Sequence, residues 1–433
     1  MNHTHDVLGI GFGPANLALA IALREEGSDL DIRFLEARTG PSWQSAMMLP
    51  GSDIQNHPLR DLVSLRNPRS RYSFVNYLFE NDRLVEHLNL PTEFPLRKEY
   101  AQYVSWAAGH FADLVGYGTP VTGIAVEKDD DGSPCYTVTT SSGRRHRARC
   151  LVVGTGRTPY IPEPFDALGS PRVFHLSRYL PALRSLQEQE SNGAGWTPQD
   201  IAVIGGSQSA VELTLDLTRR FPDARVTTYV RQFNLRQKDT SPFSERGYFP
   251  GFTDYYYRAP RERKDVLDSY MRPTNYSSAD GDVLRELYTL MYEQRLDHDQ
   301  RVFVHGSRQV RQAEADETGI RLRIEELNTG AVEQVRVDVV VLATGFRDLG
   351  PAAHQERVPH LMRDIADRFA FDDHGHLMVT HDYEARPGAV DTPLLFLNGL
   401  CESSHGIGDS GSFSLLSLRA KAIADGLRKR LQR

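Results

Sequence analysis

Two glycine turns, far apart in the chain, constrain its fold more than any other feature. The first lies in HDVLGIGFGPANLALAIAL near the amino terminus and the second in IAVIGGSQSAVELTLDL at 201–217. Each follows a short apolar, β-branched run and opens a segment of helical periodicity, the strand, turn, helix unit of a parallel sheet. In the first, Gly11 and Gly13 stand at the spacing of a dinucleotide fingerprint, with Pro14 next and Asn16 where a third glycine usually sits. Glycine there permits positive φ, and a missing Cβ lets the backbone approach a pyrophosphate whose charge the helix amino terminus stabilises. Glu36 closes the second strand, where a carboxylate accepts the hydroxyls of an adenosine ribose.

The second turn is a degenerate copy. Gly205 and Gly206 are followed by Ser207 in the middle glycine position, then Gln208, Ser209 and Ala210. After the next strand comes Arg231 instead of an acid, and a guanidinium there suits a ribose bearing a 2′-phosphate, favouring NADPH over NADH. A solvated arginine at a strand end is the plainer alternative. Two turns imply two nucleotides, most economically a tightly held FAD and a nicotinamide that reduces it.

The fold class is therefore α/β, with two Rossmann-like dinucleotide-binding domains. Strands are expected at Val7–Gly9, Asp31–Glu36, Cys150–Gly154, Ile201–Gly205, Arg225–Val230 and Val337–Ala343. The polar stretch Ser191 to Gly195 reads as a boundary, and LVVGTGR and VVVLATGFRDLG read as strands by which the chain leaves and re-enters its first domain. The FAD domain is then discontinuous, residues 1–195 and 337–433, around an NADPH domain at 196–336, with the substrate pocket between them and Thr344 and Gly345 at the FAD. A hairpin with its tip at Asp131 and Gly132, and a last helix from about Phe413 aimed at the isoalloxazine, complete the expectation.

Composition narrows the class. The chain has 433 residues, 40% of them hydrophobic, enough for two or three cores, and its net charge of -7 gives no general attraction to nucleic acid. Its three cysteines follow no metal or disulfide spacing, which points to a reducing, cytoplasmic compartment, and no apolar run approaches a membrane span. No CxxC supports a disulfide oxidoreductase, and a non-catalytic sensor would leave intact glycine turns surplus. No metal is expected: His374, His376 and His381 are loosely spaced and fit a hairpin turning at His374 and Gly375.

An ordered series of segments then carries a resemblance over essentially the whole length: GIGFGPANLALA, SWQSAMMLP, IQNHPLRDLVSLRNPRSRYSFVNYL, FPLRKEYAQYVSWAA, IAVIGGSQSAVE, SPF with FPGFTDYYY, RPTNYS, LATGF and SHGIGDSG. The chain resembles the flavoprotein N-monooxygenases of siderophore and related pathways, the L-ornithine and L-lysine N-hydroxylases. The resemblance implies that NADPH reduces FAD, O2 adds, the nicotinamide product stays bound, and a flavin hydroperoxide oxygenates an unprotonated primary amine, L-ornithine ahead of L-lysine. It places Gln55 against the flavin ring, Trp43 and Met48 beside it, Asn275 between substrate and nicotinamide nucleotide, and Ser414 at the substrate, and it implies a homo-oligomer, tetramer or dimer. His57 reads as packing, not as an acid or base.

The substrate end departs from the family pattern. Arg60 stands where a lysine commonly grips the amino acid carboxylate, and Glu245, followed by Arg246, stands where the family usually has asparagine. Arginine still binds carboxylates bidentately. A carboxylate at 245 repels another but holds a cation, so a decarboxylated base such as putrescine, cadaverine or histamine is an alternative, unless Glu245 pairs with Arg246. A simple NADPH-dependent flavin oxidase or reductase is a further alternative.

Overall fold

The computed structural model describes residues 3–190 and 196–431. The boundary stretch Ser191 to Gly195 lies outside the described residues. The chain opens with β1 (Thr4–Ile10), β2 (Ile32–Leu35) and β3 (Val115–Gly116), parallel neighbours, and continues through β4 (Val121–Lys128), β5 (Pro134–Thr140) and β6 (Arg145–Val153). The order is β3-β2-β1-β6-β5-β4, with β6 parallel to β1 and antiparallel to β5. The expected tip is there: Asp129 N–H donates to Ser133 and Gly132 has φ +82°.

Helix Pro14–Glu25 is apolar on all sides, and residues Asn16 to Leu23 are buried. It earns that burial by lying between the sheet and the last helix, Leu416–Leu431. The last helix starts three residues later than the sequence suggested; Phe413 belongs to the turn before it.

A second sheet is wholly parallel. It takes β7 (Val173–His175), β8 (Asp200–Ile204), β9 (Arg225–Tyr229) and β10 (Val302–His305), followed in the chain by a three-stranded antiparallel sheet of β11 (Arg308–Ala315), β12 (Ile320–Glu326) and β13 (Val332–Val337). β14 (Val339–Leu342) then enters the second sheet between β8 and β7, and β15 (Leu394–Leu397) returns to the first, parallel to β6. The strand pairing corrects the expected boundaries, because β7 precedes residue 196 and β14 follows residue 336, yet both belong to the second sheet. All four residues of β14 are buried, as befits a strand covered on both faces. The two crossing segments also bind one another: Tyr160 N–H donates to Gly345 C=O at 2.9 Å and Arg347 N–H to Thr158 C=O at 2.8 Å.

Candidate functional site

Three cavities follow from this layout. The first, about 500 Å³, lies at the carboxyl ends of β1, β2 and β6 and is lined by Gly11, Gly13, Pro14, Glu36, Trp43 and Gly154 among others. Gly11 has φ +84°, and a Cβ there would come within 2.7 Å of the Gly154 carbonyl oxygen. At Gly13 a Cβ would meet nothing within 4 Å, so this backbone is bare toward the cavity. Glu36 is pinned by the N–H groups of Phe12 (2.7 Å) and Arg38 (2.9 Å), one on each carboxylate oxygen, which leaves further lone pairs for ribose hydroxyls. A bare turn at a helix start and a fixed carboxylate on the next strand fit FAD.

Asn16 departs from expectation. It is completely buried and does not line the cavity: its Nδ2 donates to Gly11 C=O at 2.7 Å and its Oδ1 accepts from Asn398 at 3.0 Å. The third position of the fingerprint faces the sheet, where a small residue serves close packing. Here Gly154 yields that room instead, since a Cβ on it would lie 2.7 Å from the Asn16 amide. Asn16 thus holds the turn from beneath.

The second cavity, about 180 Å³, shares Trp43, Gln44, Gly411, Ser412 and Phe413 with the first. Phe413 meets Trp43 edge-on at 5.3 Å between centroids. Gln55, Arg60, Glu245, Asn275 and Ser414 all line it, so the fold brings together residues from four distant segments. Arg60 Nη1 pairs with Glu245 Oε2 at 3.1 Å and donates to Ser414 Oγ at 3.3 Å. Glu245 therefore faces Arg60, and the Glu245–Arg246 pairing considered above does not form. The cause is local: Ser244–Tyr248 is a tight helical turn, which puts Glu245 and Tyr248 on one face, and the Arg60 guanidinium lies 5.9 Å over the Tyr248 ring. Met48 lines none of the three cavities.

Gln55 adopts φ +53°, and its side-chain amide donates to Asp280 while its backbone N–H donates to Asp53 at 2.9 Å. Burial pushes the Asp53 carboxyl up to about 6, and the nearby carboxylates of Asp280 and Glu212 act in the same direction. Behind it, Arg97 pairs with Glu212 at 2.9 Å, and Gln208 donates to Glu212 at 3.1 Å while accepting the Asp280 N–H at 2.8 Å. Asp53, Arg97, Glu212, Lys238 and Asp280 are the residues that reading the sequence missed. Glu212 lies on the helix that follows the second glycine turn, but nothing in that turn marks a buried carboxylate, and the others stand outside both turns, so only the resemblance segments pointed to this region.

The third cavity, about 620 Å³, lies at the end of the second sheet and is lined by Gly205, Gly206, Ser207, Arg231, Thr344 and Gly345 among others. Gly205 has φ +149°, and its Cβ would lie 2.3 Å from the Ala343 carbonyl oxygen. Ser207 immediately precedes helix Gln208–Arg220, whose first residues Gln208 and Ser209 turn into the second cavity. Thr344 and Gly345, expected at the FAD, fall here because β14 pairs with β8 and ends beside its turn. His374, His376 and His381 serve local structure: a turn runs from Asp372 to His376, and His381 pairs with Asp254 at 2.7 Å. His57, expected to pack, is exposed and accepts the Leu59 N–H at 3.2 Å within its own loop.

Residues 3–348 match the family model described as L-lysine 6-monooxygenase/L-ornithine 5-monooxygenase. The chain belongs to this family. It is an FAD- and NADPH-dependent N-monooxygenase. The enzyme is 36% identical to an L-ornithine N(5)-monooxygenase of Burkholderia cepacia over 93% of this chain and 89% of that one. Among solved structures it is similar to the Kutzneria sp. 744 ornithine N-hydroxylase with reduced FAD, NADP+ and L-ornithine, at TM-score 0.88 and 32% identity, covering 99% of this chain and all of that one. It is also similar to a cadaverine monooxygenase of Erwinia amylovora bound to FAD, at TM-score 0.83 and 25% identity, covering 99% and 95% of the two chains. No helix among the described residues is long and apolar enough to cross a membrane.

Proposed function

We propose that this N-monooxygenase hydroxylates the terminal amine of a basic α-amino acid, L-ornithine ahead of L-lysine, in siderophore or other natural-product biosynthesis. The observation that carries the reading is the Arg60–Glu245 pair, two opposite charges 3.1 Å apart on the wall of a cavity that adjoins the first one through Trp43, Gln44 and Phe413. An amino acid head group carries both charges, so its carboxylate meets Arg60 and its ammonium meets Glu245, with Asn275 and Ser414 lining the same space. A diamine brings only a cation, to a carboxylate already compensated. In this reading the first cavity takes FAD, with Gln55 and Trp43 toward its ring, and the third takes NADPH, with Arg231 on the 2′-phosphate. Bound FAD, once reduced, supplies the oxygen-activating centre. The chain's own contribution is a small cavity whose wall carries Arg60, Arg97 and Lys238, and these positive charges disfavour the ammonium form of an amine whose reference pKa is about 10.4.

All three cysteines are buried free thiols, which supports a cytoplasmic setting, and the family resemblance supports a homodimer or homotetramer. A panel of ornithine, lysine, putrescine, cadaverine and histamine, scored for hydroxylamine with NADPH and O2, tests the assignment. Ornithine should lead, and R60M should raise its KM by about tenfold or more, the worth of a charge-assisted contact, with a smaller change in kcat. Product from carboxylate-free bases alone would overturn the reading and favour the decarboxylated substrates; reductant consumption without product from any amine would favour an oxidase.

A further inference from the structure

Three cations line the second cavity, the reaction cavity of the proposed function: Arg60, Arg97 and Lys238. Two are committed. Arg60 is held by Glu245 and Ser414, and Arg97 by Glu212 and the Met47 carbonyl. Lys238 differs. Its side chain is only 10% exposed, yet among the described residues no acceptor lies within hydrogen-bond distance of its ammonium, and the nearest carboxylate oxygen, Asp280 Oδ1, is 3.9 Å away. The other oxygen of Asp280 is taken by Gln55. The ion pair with Asp280 is thus long and fills none of the ammonium's N–H donors, which an oxyanion entering the cavity would fill.

The surroundings indicate which acceptor. Lys238 N–H donates to Ala279 C=O at 2.8 Å, and the adjoining Asp280 N–H donates to the Gln208 side chain at 2.8 Å. Lys238 is thereby tied to the first turn of helix Gln208–Arg220. Ser207 lines the nucleotide cavity while Gln208 and Ser209 line the reaction cavity, so a dinucleotide reaching from Arg231 toward the first cavity crosses at this point. The anions of such a molecule are its phosphates, and a helix amino terminus with a buried lysine beside it suits them. Arg60, Glu245 and Ser414 form a separate hydrogen-bonded group to which Lys238 makes no bond.

We infer that Lys238 is an oxyanion-binding residue of the reaction cavity, holding a phosphate oxygen of NADP(H) on its nicotinamide side and so slowing departure of the oxidised nucleotide. The inference rests on the third cavity being the NADPH site. The other oxyanion within reach of such a residue is the substrate's carboxylate, and the test separates the two.

The FAD-loaded full chain and its K238M and K238R variants are titrated at equilibrium with NADP+, with 2′,5′-ADP, which lacks the nicotinamide half, and with L-ornithine. K238M should weaken NADP+ by about tenfold, as expected for one lost charge-assisted hydrogen bond, while leaving 2′,5′-ADP and ornithine unchanged. K238R should restore most of the loss. The flavin spectrum and thermal midpoint report whether K238M is folded; if it is not, K238Q is read by the same titration. Unaltered NADP+ affinity overturns the inference, and so does a loss confined to ornithine, which would make the carboxylate the ligand. A wild-type chain that binds NADP+ yet forms no hydroxylamine would defeat the proposed function while leaving this inference standing.

Discussion

His175 and His405 are buried imidazoles whose pKa burial pushes down to about 4. His175 sits between the Gly345 carbonyl at 2.8 Å and the Ser177 N–H at 3.2 Å, which fits a neutral ring protonated on Nε2, and His405 stacks on Tyr383 at 4.1 Å. In the unfolded chain each titrates near about 6.5. Below that value the unfolded state binds the extra protons, so the stability these rings contribute is complete above about pH 6.5 and is lost as pH falls toward 4. The thermal midpoint should therefore drop across that interval, and replacing both rings by glutamine should flatten the drop; a slope identical to wild type would refute it. At this scale the sequence was legible where chemistry dictates a residue type, as at Gly11 and Glu36, while Gln55 was singled out only by the resemblance. It was not legible at Asn16, whose role is set by a carbonyl and an amide far along the chain, or at Lys238, a loop residue made notable only by what surrounds it.

The two glycine turns are the elements on which the first and third cavities depend, and each is tight for the same reason. Gly11 and Gly205 both have positive φ and both press against a carbonyl from a neighbouring strand end. An alanine at either site meets backbone that has no room to shift, so G11A should lose FAD while G205A should keep FAD and lose NADPH reduction. Flavin absorbance of the purified variants and the rate of anaerobic reduction by NADPH check this directly; a G205A enzyme reduced at the normal rate would count against it. Strand identity was readable from apolar runs, but strand partnership was not. The run at 339–342 looks the same whichever sheet receives it, and its pairing with β8, with burial on both faces, carried Thr344 and Gly345 to the third cavity.

Across the whole molecule, the Arg97–Glu212 pair joins helix Arg97–Gly109 of the first unit to helix Gln208–Arg220 of the second, with side chains 9% and 7% exposed. Removing one partner strands a buried charge, at a cost of about 3–5 kcal/mol, whereas removing both costs less. R97M should therefore lower the denaturation midpoint sharply, and R97M with E212Q should recover part of the loss; equal effects of the single and double changes would show the pair to be uncoupled. This linkage was invisible in the sequence, because ion pairing between distant helices leaves no periodic trace.

Residues 411–413 belong to the walls of both the first and the second cavity, while Gly11 and Glu36 lie at the opposite end of the chain. Neither chamber is complete until a ribosome has delivered the chain through Phe413. Cofactor capture thus waits for this segment, and chains cut short before it should emerge colourless and unable to use NADPH to reduce oxygen.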